Sequence, residues 1–208
     1  MKLYDAVTPN SLRVRAFLAE KDIDVKRQKV DVLGGGTRTP EFLALNSLGE
    51  LPVLECDDGN ILTESVAICR YFEERHSAPR LMGEDAYDKA WVEMWNRRME
   101  QQIFGPIGSV GRHTIPFFAD KCEQQPAYAD SQMRLFDKNW AWLDRQLSDG
   151  RPFVTGDKFT IADITGMAAL FVCRIMEKAL PDDLPHAKRW ANAMQGRDSF
   201  AIGTTKLA

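Results

Sequence analysis

Three short stretches of this 208-residue chain carry groups that could do chemistry: Thr8-Pro9-Asn10-Ser11, Leu51-Pro52 and Glu64-Ser65. Glu64 and Ser65 open a helical pattern whose apolar positions, Ile68, Tyr71 and Phe72, fall at i, i+3 and i+4. The first N–H groups of a helix have no partner within it, and the positive end of its dipole lies there, so a small anion could dock at this point. Arg75 and His76 suit the opposite, negative end. Pro52 opens the apolar run Leu51 to Cys56. Proline cannot donate to a sheet ladder, so it belongs at the first residue of a strand or in a tight turn. A cis bond at Leu51-Pro52, which this placement predicts, would present the backbone N–H and C=O of Leu51 to a partner. Thr8 precedes Pro9 as a helix cap precedes a first-turn proline.

Other chemistries are disfavoured. The net charge of −3, with no basic patch and no run of like charge, gives no footprint for nucleic acid. No apolar run is long enough to span a membrane, and the chain starts straight into a strand, so no membrane or targeting segment is expected and the location is read as cytoplasmic. Cys56, Cys69, Cys122 and Cys173 are far apart and form no Cys-x-x-Cys pair; they read as reduced thiols. Neither Cys nor His has metal-ligand spacing, so no metal is expected. The Gly34-Gly35-Gly36 loop is not followed by Gly-Lys-Ser/Thr and is not a phosphate loop.

The elements that must position these groups follow from the pattern. Lys2 to Asp5 is a first strand, Leu12 to Asp22 a helix burying Val14, Phe17 and Leu18, and Val25 to Val32 a second, parallel strand. Thr39-Pro40 starts a short helix that Asn46 and Gly49 stop. Then come Leu51 to Cys56, a turn around Asp58-Gly59, the strand Ile61 to Thr63 and the helix from Glu64. This β-α-β-α-β-β-α order is a thioredoxin-like domain over residues 1–77. After a linker, 78–85, no strand is predicted, and residues 86–208 read as an all-α domain. Tyr87, Trp91, Met94, Trp95 and Met99 make one apolar stripe, which Gly105, Pro106, Gly108 and Gly111 kink or end. His113 to Pro126 reads as irregular. Met133 to Leu147 forms a helix closed by Gly150. Thr160 and Asp163 form a capping box, with Phe159 and Ile164 placed for a hydrophobic staple. Ile164, Ala168, Phe171 and Ile175 are the expected buried face of that helix. A last helix is predicted around Trp190 and Met194, ending at Gly196.

The order Leu-Pro-Val-Leu, hairpin, Glu-Ser-x-Ala-Ile, helix resembles the glutathione-binding half of the cytosolic glutathione S-transferases. Arg151 to Ile164 and Leu184 to Trp190 are similar to the same family's C-terminal domain. The resemblance implies glutathione as co-substrate. The Leu51 backbone would pair with its cysteinyl amide, the cis Pro52 holding that strand. Glu64 and Ser65 would hold its γ-glutamyl end. It also implies that Thr8, with Asn10 and Ser11 as further candidates, meets the sulfur. A hydroxyl donating there would lower the thiol pKa, as would the helix end. Because no cysteine occupies that loop, the thiol chemistry would belong to bound glutathione. Glu50 departs from relatives that carry Lys or Gln near the glycyl carboxylate, and Arg38 is the replacement candidate. The acceptor pocket would draw on Trp95, Met99, Phe104, His113, Phe117 and Phe118 between the domains. Asp163 is assigned to folding, not catalysis. The implied activity is a detoxifying attack of glutathione thiolate on an electrophile by a homodimer. Two alternatives stay open. Thr-Pro-Asn resembles the nu class, which reduces disulfides with glutathione, and related non-catalytic modules bind no glutathione.

Overall fold

The computed structural model describes residues 1–204 of the chain. Contacts divide it into two units, Met1–Arg80 joined by the residues from Asp198 onward, and Leu81–Arg197. Among the described residues no helix is long and apolar enough to cross a membrane.

The first unit is built on a four-stranded sheet in the order β2-β1-β3-β4. β1 (Lys2–Asp5) pairs parallel with β2 (Lys26–Lys29) and antiparallel with β3 (Val53–Glu55), with Tyr4 opposite Val53. β3 pairs antiparallel with β4 (Ile61–Leu62), with Leu54 opposite Leu62. β2 is shorter than the expected Val25 to Val32, and all four of its residues are exposed. Lys26, Arg27 and Lys29 make it a charged edge, the kind that resists further pairing. α2 (Pro40–Leu45) is capped by Thr39, whose hydroxyl accepts from Phe42 N. Phe42 packs edge-on to Tyr4, at 6.3 Å, within a cluster that includes Ala6, Leu51 and Val53.

α1 (Pro9–Glu20) begins three residues earlier than expected, because Thr8 and Pro9 start it at once. Its residues Ser11 to Leu18 are all buried, polar ones included. α1 is packed by α3 (Ser65–Arg75) and also by α9 (Asp198–Thr204), a helix beyond the one expected to be last. A Cβ on Gly203 would lie 2.8 Å from Leu12 Cγ, so α9 and α1 approach that closely only with glycine there. The buried Lys21 Nζ binds Glu73 Oε2 at 2.8 Å and the carbonyls of His76 and Pro79 at 2.8 and 2.6 Å, fixing the chain that follows α3.

The second unit is helical: α4 (Ala86–Arg98), α5 (Gly105–Thr114), α6 (Pro126–Gln146), α7 (Ile161–Ile175) and α8 (Pro185–Gln195). Gly105 to Gly111 do not end the first helical run. A π turn over Met99–Phe104 joins α4 to α5, with Gly105 N–H reaching Glu100 O five residues back. The wider turn comes just before Pro106, which has no N–H to give, so the helix continues. Tyr87 is 76% exposed and leaves the apolar stripe. α7 is buried around its circumference from Ile161 to Cys173, not on one face, and Ile175 is instead about half exposed. It packs against α4, α5, α8 and the π turn, and a helix apolar all round needs such cover. Gly166 makes room for Trp190 and for Met99, whose Cε would sit 2.8 Å from a Cβ there.

The capping box of α7 is present, and it does more than cap. Asp163 is fully buried. Its Oδ2 accepts from Thr160 N at 3.1 Å, while its Oδ1 accepts from Val154 N at 3.0 Å and Trp190 Nε1 at 2.9 Å. One carboxylate thus joins α7, α8 and the loop before α7. Burial pushes its pKa up to about 6 and these donors pull it back, so it is ionised at neutral pH, as an all-donor shell requires. Loss of a helix cap alone costs about 0.5–2 kcal/mol. With two further donors orphaned in the interior, Asp163→Ala is expected to lose about 3 kcal/mol in chemical denaturation. Asp163→Asn, which keeps acceptor capacity at one oxygen, is expected to lose less.

Candidate active site

The strand register brings the three expected stretches to one end of the sheet. β1 runs out toward Thr8. β3 enters from Leu51-Pro52, the neighbouring position in its pairing with β1. β4, antiparallel to β3, runs out to Glu64 and Ser65 at that same end.

Thr8 caps α1, its Oγ1 accepting from Ser11 N at 3.3 Å. A hydroxyl that accepts in this way keeps its own proton for another acceptor. Pro9 has no N–H. The N–H of Asn10 makes no hydrogen bond among the described residues. Thr8, Pro9 and Asn10 are each partly exposed, so a partner can reach them. Ser11 is fully buried near Asp5. Ser11 therefore belongs to the support of this turn and is removed from direct reach of a bound sulfur.

The Leu51-Pro52 bond is cis, as expected, and a second cis bond lies at Ala78-Pro79. Among the described residues no hydrogen bond is made by the backbone N–H or C=O of Leu51. The turn before it is held by Asn46, which the sequence reading treated only as a helix stop. Asn46 Nδ2 donates to Glu50 O at 2.9 Å and its Oδ1 accepts from Leu48 N at 3.2 Å. Arg38 lies in a 3-10 turn, Gly36–Arg38. Its Nη1 donates to Leu48 O at 3.0 Å, which puts its exposed guanidinium beside this same turn.

Glu64 takes φ +63°, ψ 114°, a left-handed conformation unusual for a residue other than glycine. Backbone in such regions clusters at functional sites. The N–H groups of Ser65, Val66 and Ala67 make no hydrogen bond among the described residues. Ser65 is buried, and its Oγ accepts from Arg13 Nη1 at 2.8 Å.

Two buried charged side chains, Asp5 and Arg15, face each other beside the Thr8 turn. Asp5 is fully buried, and burial pushes its carboxyl up, with the Arg15 guanidinium and then the Ser11 hydroxyl pulling it back. Arg15 Nε lies 3.5 Å from Asp5 Oδ2, and Arg15 Nη2 donates to Ala6 O at 3.3 Å. Burial pulls the Arg15 guanidinium down from its usual value and Asp5 raises it again. No cysteine lies in the Thr8 turn. Burial pushes the Cys69 and Cys173 thiols up to about 12, so neither is a thiolate at neutral pH. Among the described residues no group of His, Cys, Asp and Glu could hold a metal ion.

The expected acceptor residues divide in two. Trp95 and Met99 are interior, at 1% and 0% exposure. Trp95 stacks on Trp142 at 5.9 Å, and Met99 packs at Gly166. They are corrected to core: on one helix face, spacing alone does not separate a pocket wall from a buried seam. His113 is a packing residue whose Nδ1 accepts from Gln125 N at 3.1 Å beside the Tyr128 ring. Phe104, Phe117 and Phe118 are half-buried, the last two on a 3-10 turn, Pro116–Phe118.

Sequence reasoning passed over Arg13 and Arg15 as site residues. Their signal was available: two arginines two apart inside an otherwise apolar helix. For the Asn46 turn, Asn46→Ala is expected to speed amide exchange at Leu48 and to cost about 1 kcal/mol in thermal melting.

The comparisons with known proteins agree with this geometry. The model of the glutathione S-transferase N-terminal domain matches residues 8–75, and that of the C-terminal domain matches residues 107–198. Glutathione S-transferase 2 of Saccharomyces cerevisiae is 32% identical, covering 96% of this chain and 87% of the relative. Maleylacetoacetate isomerase of Pseudomonas aeruginosa is 41% identical, covering 96% of this chain and 93% of the relative. The crystal structure of a glutathione S-transferase domain-containing protein from Marinobacter aquaeolei superposes with a TM-score of 0.90 at 34% identity, covering 96% of this chain and all of the other. Two domain models in order and whole-length relatives above 30% identity show that the chain belongs to the glutathione S-transferase family.

Proposed function

We propose that the chain binds glutathione at the end of the sheet where Thr8, Leu51 and Ser65 meet, and catalyses attack of its thiolate on an electrophilic small molecule. The observation that carries this reading is a set of unused backbone groups on the first unit. The N–H of Asn10, both polar groups of Leu51 and the first N–H groups of α3 have no partner among the described residues. They match a ligand with an anionic sulfur, a central amide and a terminal carboxylate, as glutathione has. Thr8 donates its hydroxyl proton to the sulfur, and the α1 terminus favours the thiolate over the thiol. The Leu51 backbone pairs with the cysteinyl amide. Ser65 and the α3 N-terminus take the γ-glutamyl carboxylate, with Glu64 shaping the turn. Arg38, beside Leu48, faces the glycyl end, where Glu50 is unsuited to a carboxylate. The protein supplies position and electrostatics, and the nucleophile is the ligand's own. The proposed enzyme is a cytoplasmic homodimer.

The 41% identity to an isomerase favours one further variant of this chemistry. A thiolate that adds reversibly to an electrophilic alkene, then leaves, returns glutathione unconsumed. Disulfide reduction in the manner of the nu class is the other variant, and there Asn10 is expected to matter at least as much as Thr8.

The test is the ultraviolet thiolate absorbance of bound glutathione against pH. Thr8→Ala is expected to raise the bound thiol's pKa and to lower turnover about tenfold or more, the worth of a hydrogen bond to a charged group. Affinity should fall less. Assays with electrophiles, an isomerisable alkene and glutathione disulfide then assign the variant. If neither Thr8→Ala nor Asn10→Ala moves the titration, the turn is only a helix cap and the catalytic assignment fails.

A further inference from the structure

α1 places a guanidinium directly behind the hydroxyl that the proposed reading gives to the γ-glutamyl carboxylate. Arg13 is 2% exposed, and its Nη1 lies 2.8 Å from Ser65 Oγ. Fifty-two residues of chain separate the two, so the bond joins the middle of α1 to the first residue of α3. Arginine has donors only. The Ser65 oxygen therefore accepts from Arg13 and cannot return its proton to it. The Ser65 hydroxyl makes no other hydrogen bond among the described residues, which leaves its O–H as a donor with no acceptor there. Around it stand the unused N–H groups of Ser65, Val66 and Ala67 and the left-handed Glu64 that sets their direction. A hydroxyl whose lone pair is engaged by a cation is also a stronger donor, because successive hydrogen bonds polarise one another.

We propose that Arg13 is a positioning residue for the ligand's γ-glutamyl carboxylate. It engages the Ser65 lone pair, turns the Ser65 proton outward, and adds positive charge behind a helix end that already favours an anion. Arg13 itself stays buried and does not touch the ligand. This inference rests on the glutathione reading and adds to it a residue and a direction for the Ser65 proton. It predicts that the effect of Arg13 is confined to one end of the ligand and is transmitted through one side chain.

The experiment is a double-mutant cycle by calorimetric titration of glutathione into the full chain, with Arg13→Gln, Ser65→Ala and the pair, each checked by thermal melting. A parallel titration uses cysteinylglycine, a thiol that lacks the γ-glutamyl group. Arg13→Gln and Ser65→Ala are each expected to weaken glutathione about tenfold, the pair no more than the worse single change, and cysteinylglycine by neither. In turnover the loss should fall on KM for glutathione and leave kcat nearly unchanged. Should Arg13→Gln fail to fold, Arg13→Lys keeps the buried charge with one donor group in place of the fork, and the same coupling with Ser65 is expected at a smaller amplitude. Wild-type binding with an unchanged Kd in the Arg13 variants overturns this inference alone. So does a full additional loss in the Ser65→Ala background, or an equal loss for cysteinylglycine. Absence of glutathione binding by the wild type overturns the glutathione reading, and this inference with it.

Discussion

A helix covered on every side cannot shed its polar residues into water, and α1 is such a helix. Eight consecutive residues, Ser11 to Leu18, are buried. Two of them are arginines, whose charge in an interior is tolerable only if it is answered. The answers define the first unit. Arg15 meets Asp5 and the carbonyl of Ala6, where β1 hands over to the Thr8 turn. Arg13 meets Ser65, where α3 begins. The two ends of the candidate site are thus held by cations on one rigid element between them. A change in the tilt of α1 would move both together.

The second unit solves the same problem with an anion. α7 is apolar nearly throughout and enclosed on all sides, and Asp163 is its one charged residue in the buried span Ile161 to Cys173. The carboxylate is satisfied by backbone at its own helix start, by Val154 in the preceding loop and by the Trp190 ring on α8. Its chemistry is all acceptance, with no neighbour placed to receive a proton. A buried, perturbed carboxyl invites a catalytic interpretation. Here its partners are backbone and indole groups of the core, and they answer that interpretation.

Most of the fold was legible because the local signals agreed with one another. Thr39-Pro40 and Thr160 with Asp163 each marked a helix start that the structure contains, while Thr8-Pro9 carried the cap signature of a helix expected three residues later. Leu51-Pro52 marked the entry of β3, and Asp58-Gly59 the turn to β4. Reading failed where burial was not one-sided. α7 gave no face because it has none, and Trp95 and Met99 looked like a pocket wall because a stripe does not say what covers it. Gly105 to Gly111 looked like a break because composition does not reveal a π turn that absorbs a proline. Leu51-Pro52 and Glu64-Ser65 carried local signatures, and the cis bond and the helix start that these announced are present. The hydrogen bonds of Arg13 and Asn46 and the burial of Ser11 were not legible, since they depend on partners across a turn or in another element.

α9 has one consequence for the life of the chain before it is a finished protein. The unit that holds the candidate site is discontinuous: its sheet is encoded by the first 80 residues, while a helix against α1 is encoded from Asp198 onward. A chain emerging from the ribosome therefore completes its strands early. It must wait through the whole helical unit, more than a hundred residues of synthesis, for the piece that covers Leu12. During that interval an apolar flank of α1 lies open to chaperones or to misplaced contacts. Translation itself thus delays completion of the site-bearing unit until its last helix has been made.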